Sequence, residues 1–229
     1  MKKDKSVFTE KIRSLLRETM TQEGMGLLNN DIIQLPEIWD RPSSSTAKYH
    51  KREDGSVQTI AEHTYEMLEA AIIPHESPRF ELLGIPGSRI KKEGRKEVKR
   101  QLRSTAIDMV CASIVLHDTL KYGPENIDLL LPMDHGGDDG KASAIKRKHT
   151  TTKHPKLIAD FVSRRRTLYA DHYTETQTDM IIEALRFHAG KWSPDAGKFF
   201  TFRTKSPLTF FLHFLDMMSA GNKIKLVGG

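Results

Sequence analysis

The stretch "CASIVLHDTLKYG", residues 111–123, decides the fold. Its first half is an apolar run that carries Val115 and Leu116 into a core. It closes on two side chains able to bind metal, His117 and Asp118, with Lys121 one turn further on. Upstream, Val98, Leu102, Ile107, Val110 and Ile114 recur at helical intervals, so the spacing predicts one long helix over residues 95–118. Adjacent helical residues point about 100° apart. At a helix end, Asp118 can therefore reach a ligand from a different direction than His117.

Outward from this helix, the chain reads as helices joined by long polar loops, with no period-two strands and no internal repeat. Residues 7–20 place Phe8, Ile12, Leu15 and Leu16 on one face, and a loop with Pro36, Pro42 and three serines follows. Thr59-Ile60-Ala61-Glu62 fits a capping box, because a threonine hydroxyl and a glutamate three residues later can satisfy the free N–H groups of a new helix. That helix continues as "HTYEMLEAAII" and stops before Pro74. Residues 74–94 read as a connector and 122–153 as a loop rich in Gly and Asp. Further helices are expected over 155–170 and 176–189. Ser206-Pro207 opens the last, "LTFFLHFLDMMSA", with serine at the N-cap and proline at the first helical position. The expectation is an all-α fold: a single helical bundle with long polar loops. Residues 1–58 would form an N-terminal helix and irregular arm packed on the domain, 59–220 the domain itself, and 221–229 a tail.

Composition narrows the class. The 229 residues suffice for one ordinary core, and no apolar run approaches the roughly 18 residues a membrane span requires. The basic N-terminus lacks the apolar region of a secretory signal. The single cysteine, Cys111, excludes an intrachain disulfide and fits a small core residue in a reducing, cytoplasmic setting. A net charge of +6 favours anionic partners such as nucleotides or nucleic acid. Two basic clusters stand out, at 89–103 and 141–156. The second, with Lys146, Arg147 and His149, has no helical duty and is the better candidate to face phosphate.

Several of the ten histidines fall at helix starts or ends. His63 lies in the first turn of the capped helix, His154 precedes Pro155, and His188 ends "MIIEALRFH". Asp216 sits within "FFLHFLDMM", where a buried carboxylate is costly unless it is paired or bound to metal. His149, close to His154, is an alternative ligand, and His135 and His213 are weaker candidates; His213 lines the site or packs beside Phe210. Facing helices of a bundle commonly build metal sites in this way. Imidazole and carboxylate donors suit Mn²⁺, Fe²⁺, Co²⁺, Ni²⁺ or Zn²⁺, with Mg²⁺ also possible, and leave open whether one ion binds or two. With His154 and His188 included, a second ion would share Asp118 as a bridge.

His63, the doublet His117-Asp118 and the late Asp216 match the H…HD…D signature, and in this the chain resembles the HD-domain superfamily of helical, metal-dependent phosphohydrolases. The similarity spans roughly residues 59–220 and includes an "HDxxK" extension through Lys121. The segments "ALRFHAGKWSP" and "PLTFFLHFLDMMSA" look most like the HD-type 3′-to-5′ exoribonucleases, and the full ligand order resembles the binuclear phosphodiesterases. Paired histidines, frequent in the cyclic-dinucleotide branch, are replaced here by Phe187-His188. The resemblance implies a metal-dependent phosphohydrolase or phosphodiesterase acting on a nucleotide or short nucleic acid. Asp118 and Lys121 would be its catalytic residues. His63, His117, Asp118, His154, His188 and Asp216 would bind metal. Lys121, Lys146, Arg147, His149, Lys191 and Trp192 would contact substrate. Two other readings stay open: a mixed-valence di-iron oxygenase on the same scaffold, and a non-catalytic nucleotide-sensing module. The oligomeric state is not legible.

Overall fold

The computed structural model describes residues 7–29, 36–44, 50, 52, 55–72, 95–123 and 150–221. Helix α1 (Val7–Thr19) buries Ile12 and Leu16, one turn apart, as its spacing predicts. The stretch read as a loop after it holds two short helices instead, α2 (Gln22–Asn29) and α3 (Pro36–Trp39). They bury Met25, Leu28, Ile38 and Trp39. Each is too short for a helical period to emerge from its residues.

α4 (Ile60–Ile72) starts at the expected capping box. The Thr59 backbone N–H donates to Glu62 Oε2 at 2.8 Å, and the Glu62 N–H donates to Thr59 Oγ1 at 3.2 Å. α5 (Arg95–Leu116) is the central element. From Ala106 to Leu116 it is buried on every side, because α1, α2, α4 and the last two long helices all lie against it. An all-round apolar helix is the expected solution for such a position.

The predicted helix over 155–170 is broken at Arg165 into α6 (His154–Arg164) and α7 (Arg166–Tyr169). α8 (Glu175–Phe187) begins at a second capping box, Thr174 with Gln177. α9 (Pro207–Ala220) begins as predicted, with Ser206 Oγ accepting from the Thr209 N–H. α8 packs between α6 and α9 and also touches α5, while α4 packs against α1, α5 and α9. Among the described residues no β-strand forms; an isolated antiparallel bridge joins Pro42 and Thr59.

The N-terminal arm is built into the bundle by polar contacts as well as by its apolar residues. Asp108, buried in α5, accepts from the Thr21 N–H (3.0 Å), the Thr21 hydroxyl (2.6 Å) and His172 Nε2 (3.0 Å). Such saturation is what makes a buried carboxylate tolerable. Gly24 permits this approach, since a Cβ there would lie 2.8 Å from Asp108 Cγ. Nearer the HD turn, the Tyr122 hydroxyl donates to the Pro42 carbonyl at 2.6 Å. Cys111 is buried in the core and burial pushes its thiol pKa up, as expected for an inert packing residue. Among the described residues, no helix is long and apolar enough to cross a membrane.

Candidate metal centre

α5 ends at Leu116, and residues 117–122 continue as a run of tight turns. The His117 N–H still donates to the Ser113 carbonyl (3.0 Å), so the imidazole keeps the direction of the helix. Asp118 then turns away, and the Lys121 N–H closes the turn on the Asp118 carbonyl at 3.0 Å. The doublet therefore sits where the apolar run predicts, at the buried end of the core helix. His63, His117, Asp118 and His188 are each at most 1% exposed.

Four imidazoles converge on Asp118. On one side, His63 Nε2 lies 3.2 Å from His117 Nε2 and 3.2 Å from Asp216 Oδ1, and these two histidines flank Asp118 Oδ2 at 3.9 and 3.5 Å. On the other, His154 Nε2 and His188 Nε2 are 3.1 Å apart and lie 3.2 and 4.0 Å from Asp118 Oδ1. One carboxylate thus turns a different oxygen toward each pair of histidines. His63, His117 and Asp118 form one group whose ligand atoms fit around a single ion, and Asp118, His154 and His188 form another.

The outer nitrogen of each ring fixes its tautomer. Nδ1–H of His117 donates to the Ile114 carbonyl (2.6 Å), that of His154 to Thr151 (2.8 Å), and that of His188 to Leu185 (2.7 Å). A carbonyl cannot donate, so each of these Nδ1 atoms carries the proton. For His63 the partner is Ser219 Oγ at 2.8 Å, and that hydroxyl gives its own proton to Glu66 Oε2 at 2.7 Å. It can therefore only accept from His63. With Nδ1 protonated, every neutral ring presents a bare Nε2 lone pair to the centre. Two pairs of lone pairs face each other at hydrogen-bond distance, an arrangement that a cation relieves. Histidine ligands held through their outer nitrogen are the usual support of a metal site.

The electrostatics point the same way. Burial lowers the pKa of His117, and it takes that of His188 down to about 3, with His154 and His117 adding to the effect, so both rings are neutral donors near pH 7. Burial alone would raise the pKa of Asp118; the Lys121 ammonium beside it is the largest opposing influence, and the carboxyl is held well below its usual range. Asp216, which burial also pushes up, is nonetheless lowered and ionised. Neutral imidazoles and ionised carboxylates are the protonation states metal binding requires. The residues present could hold a metal ion in either of these groups, and Asp118 belongs to both.

The rim carries Lys121, whose Nζ lies 2.5 Å from Asp118 Oδ2 and whose side chain is 12% exposed. Its carbonyl accepts from the Thr151 N–H (2.7 Å), so the HD turn also positions the residue that orients His154. Lys191 and Trp192 follow His188 in a 3₁₀ turn, Gly190–Trp192, with Lys191 Nζ 4.9 Å from the Trp192 ring centroid. Trp192 is 60% exposed. His213 is no ligand in either group. It stacks on Phe202 rather than on Phe210, at 4.7 Å, and its Nδ1–H donates to the His188 carbonyl at 2.6 Å. Gly190, at φ +60°, leaves room for that ring, since a Cβ would lie 2.8 Å from His213 Cε1.

Lys146, Arg147, His149 and His135 lie outside the described residues. Sequence reasoning did not find Ser219, Glu66 or Thr151, which orient ligand rings. Ser219 sits one turn past Asp216 on α9, a spacing that places it on the same face. It also did not find His50, whose ring stands edge-on to His63 at 4.4 Å. No family model, curated protein or solved structure matches the chain.

Proposed function

We propose that this chain is a binuclear metal-dependent phosphohydrolase or phosphodiesterase whose substrate is a nucleotide or short nucleic acid. The observation that carries the reading is the division of Asp118: Oδ2 faces His63 and His117, and Oδ1 faces His154 and His188. The ligand order along the chain, with its likeness to HD-domain enzymes, supports the same assignment.

If bound there, two such ions would supply activation of a water and charge neutralisation at phosphoryl oxygens. The protein's own residues do the rest. Asp118 holds the two halves in register, and hydrogen bonds to Ile114, Thr151 and Leu185 keep three imidazoles from rotating. Lys121 places an ammonium at the rim, where it can turn from Asp118 to a phosphoryl oxygen and stabilise charge that develops there. Lys191 and the exposed face of Trp192 supply a cation and a stacking surface suited to a nucleotide base.

The test is hydrolysis of bis-p-nitrophenyl phosphate, then of a panel of nucleotides and short RNA and DNA, by protein reconstituted with Mn²⁺. Turnover that disappears with chelator and returns with metal supports the proposal. Iron-loaded protein that consumes oxygen, with no hydrolysis under any metal, would replace it with the oxygenase reading. Nucleotide binding without turnover would replace it with the sensing module.

A further inference from the structure

Resting on the binuclear reading above, we infer that His50, together with His63 and Asp216, is an additional protein ligand on the His63 side of the centre, and that it makes the two sides unequal. A ring nitrogen of His50 and the ligand atoms of His63 and Asp216 all lie within 4.8 Å of one another, close enough to share one ion. His50 is only 5% exposed, and its Nδ1 is buried with no hydrogen-bond partner. An orphaned ring nitrogen in the core is costly unless something absent from the protein atoms satisfies it.

The backbone is held so as to aim this ring. His50 has φ +59°, a left-handed conformation that a non-glycine residue adopts only when its surroundings impose it. Two hydrogen bonds impose it here. The His50 N–H donates to the Ala220 carbonyl at 3.1 Å, and its carbonyl accepts from the Gln58 N–H at 2.8 Å. Ala220 closes α9, the helix that carries Asp216 and Ser219, and Gln58 Nε2 in turn donates to Glu66, the acceptor for Ser219. The same short network that orients His63 thus fixes His50 beside it. A packing role would need neither the left-handed backbone nor an unpaired nitrogen turned into the core.

The consequence is a division of labour. The His63 side then offers two overlapping donor groups, His50 with His63 and Asp216, and His63 with His117 and Asp118, five residues in all. The other side offers His154, His188 and Asp118, three donors that leave more of an ion's coordination to water and substrate. Closed shells hold an ion in place; open ones do chemistry.

The test is titration of the metal-free protein with Co²⁺, followed by calorimetry and by visible absorption. Wild type should show two classes of site. His50→Gly accepts the positive φ and removes the ring. It should weaken the tighter class by at least about tenfold, the scale on which even outer partners of metal ligands act, and leave the weaker class unchanged. Added free imidazole should restore the wild-type spectrum. His50→Asn also tolerates the left-handed backbone and serves if the glycine variant does not fold. Two unchanged classes in a folded variant would overturn the role of His50 while the binuclear reading stands. Wild-type protein that binds no Co²⁺ would overturn both.

Discussion

The half of the centre made by His63, His117 and Asp216 and the half made by His154 and His188 share imidazole chemistry but come from different parts of the chain. The first draws on α4, α5 and α9, which pack against one another in the core. The second draws on the start of α6 and the residue just past α8, next to Lys121 and the turn that carries Trp192. Each half has a buried histidine and a partly exposed member: His63 and His117 are buried beside an Asp216 side chain 16% exposed, and His188 is buried beside a His154 side chain 12% exposed. What differs is the surroundings, since Lys121 and the Trp192 turn adjoin the second half. Asp118 belongs to both, and the comparison stands or falls on it.

Asp118→Ala should have the largest effect. Hydrolysis should fall to background and both ions should be lost, while the far-UV circular dichroism stays helical, since the apolar stretch of α5 is untouched. Lys121→Ala sharpens the distinction between holding metal and meeting substrate. Metal content should be unchanged and turnover should drop by about a hundredfold, as when one preorganised donor to a developing charge is removed. A loss of metal in this variant would assign Lys121 a part in holding metal instead. Ser219→Ala removes the acceptor for His63 Nδ1–H and should weaken only the His63 half, by about tenfold in affinity for its ion, measured by competition with a chromophoric chelator.

The smallest effect is on the metal-free protein. Its His188 pKa is depressed to about 3 from 6.5, so the unfolded chain binds the proton first. The stability tied to this neutral ring is complete above pH 6.5 and is lost as pH falls from there toward 3. His117, lowered by burial, acts in the same direction, and the depressed carboxyls of Asp118 and Asp216 extend the loss below their usual range. The apo Tm should therefore fall by at least about 3 °C between pH 7 and pH 5, the shift that a kilocalorie per mole produces in a chain of this size. A Tm that is flat or rises on acidification would contradict the neutral-imidazole assignment.

Residues whose signal is local were legible in the sequence. The capping box at Thr59, Ser206-Pro207 and the long apolar period of α5 each announce a helix within a few residues. The doublet at the end of α5 inherits its place from that helix. Asp216 was legible because a carboxylate among aromatic residues needs a reason. His50 was not, because nothing in its neighbours marks a left-handed backbone; its place is set by Ala220, which lies far along the chain. Ser219, Glu66 and Thr151 escaped for the same reason, as their role exists only once helices distant in sequence are packed. The short helices α2 and α3 were hidden by their length. The break at Arg165 had no glycine or proline to announce it.

If one carboxylate joins two ion positions, the number of ions per chain depends on Asp118. Metal-free protein is reconstituted with excess Mn²⁺ or Zn²⁺, freed of unbound metal by gel filtration and analysed by plasma emission spectroscopy. Wild-type protein should carry two ions per chain, His188→Ala one and Asp118→Ala none. A folded Asp118→Ala protein that keeps the wild-type count would contradict the bridging role of Asp118.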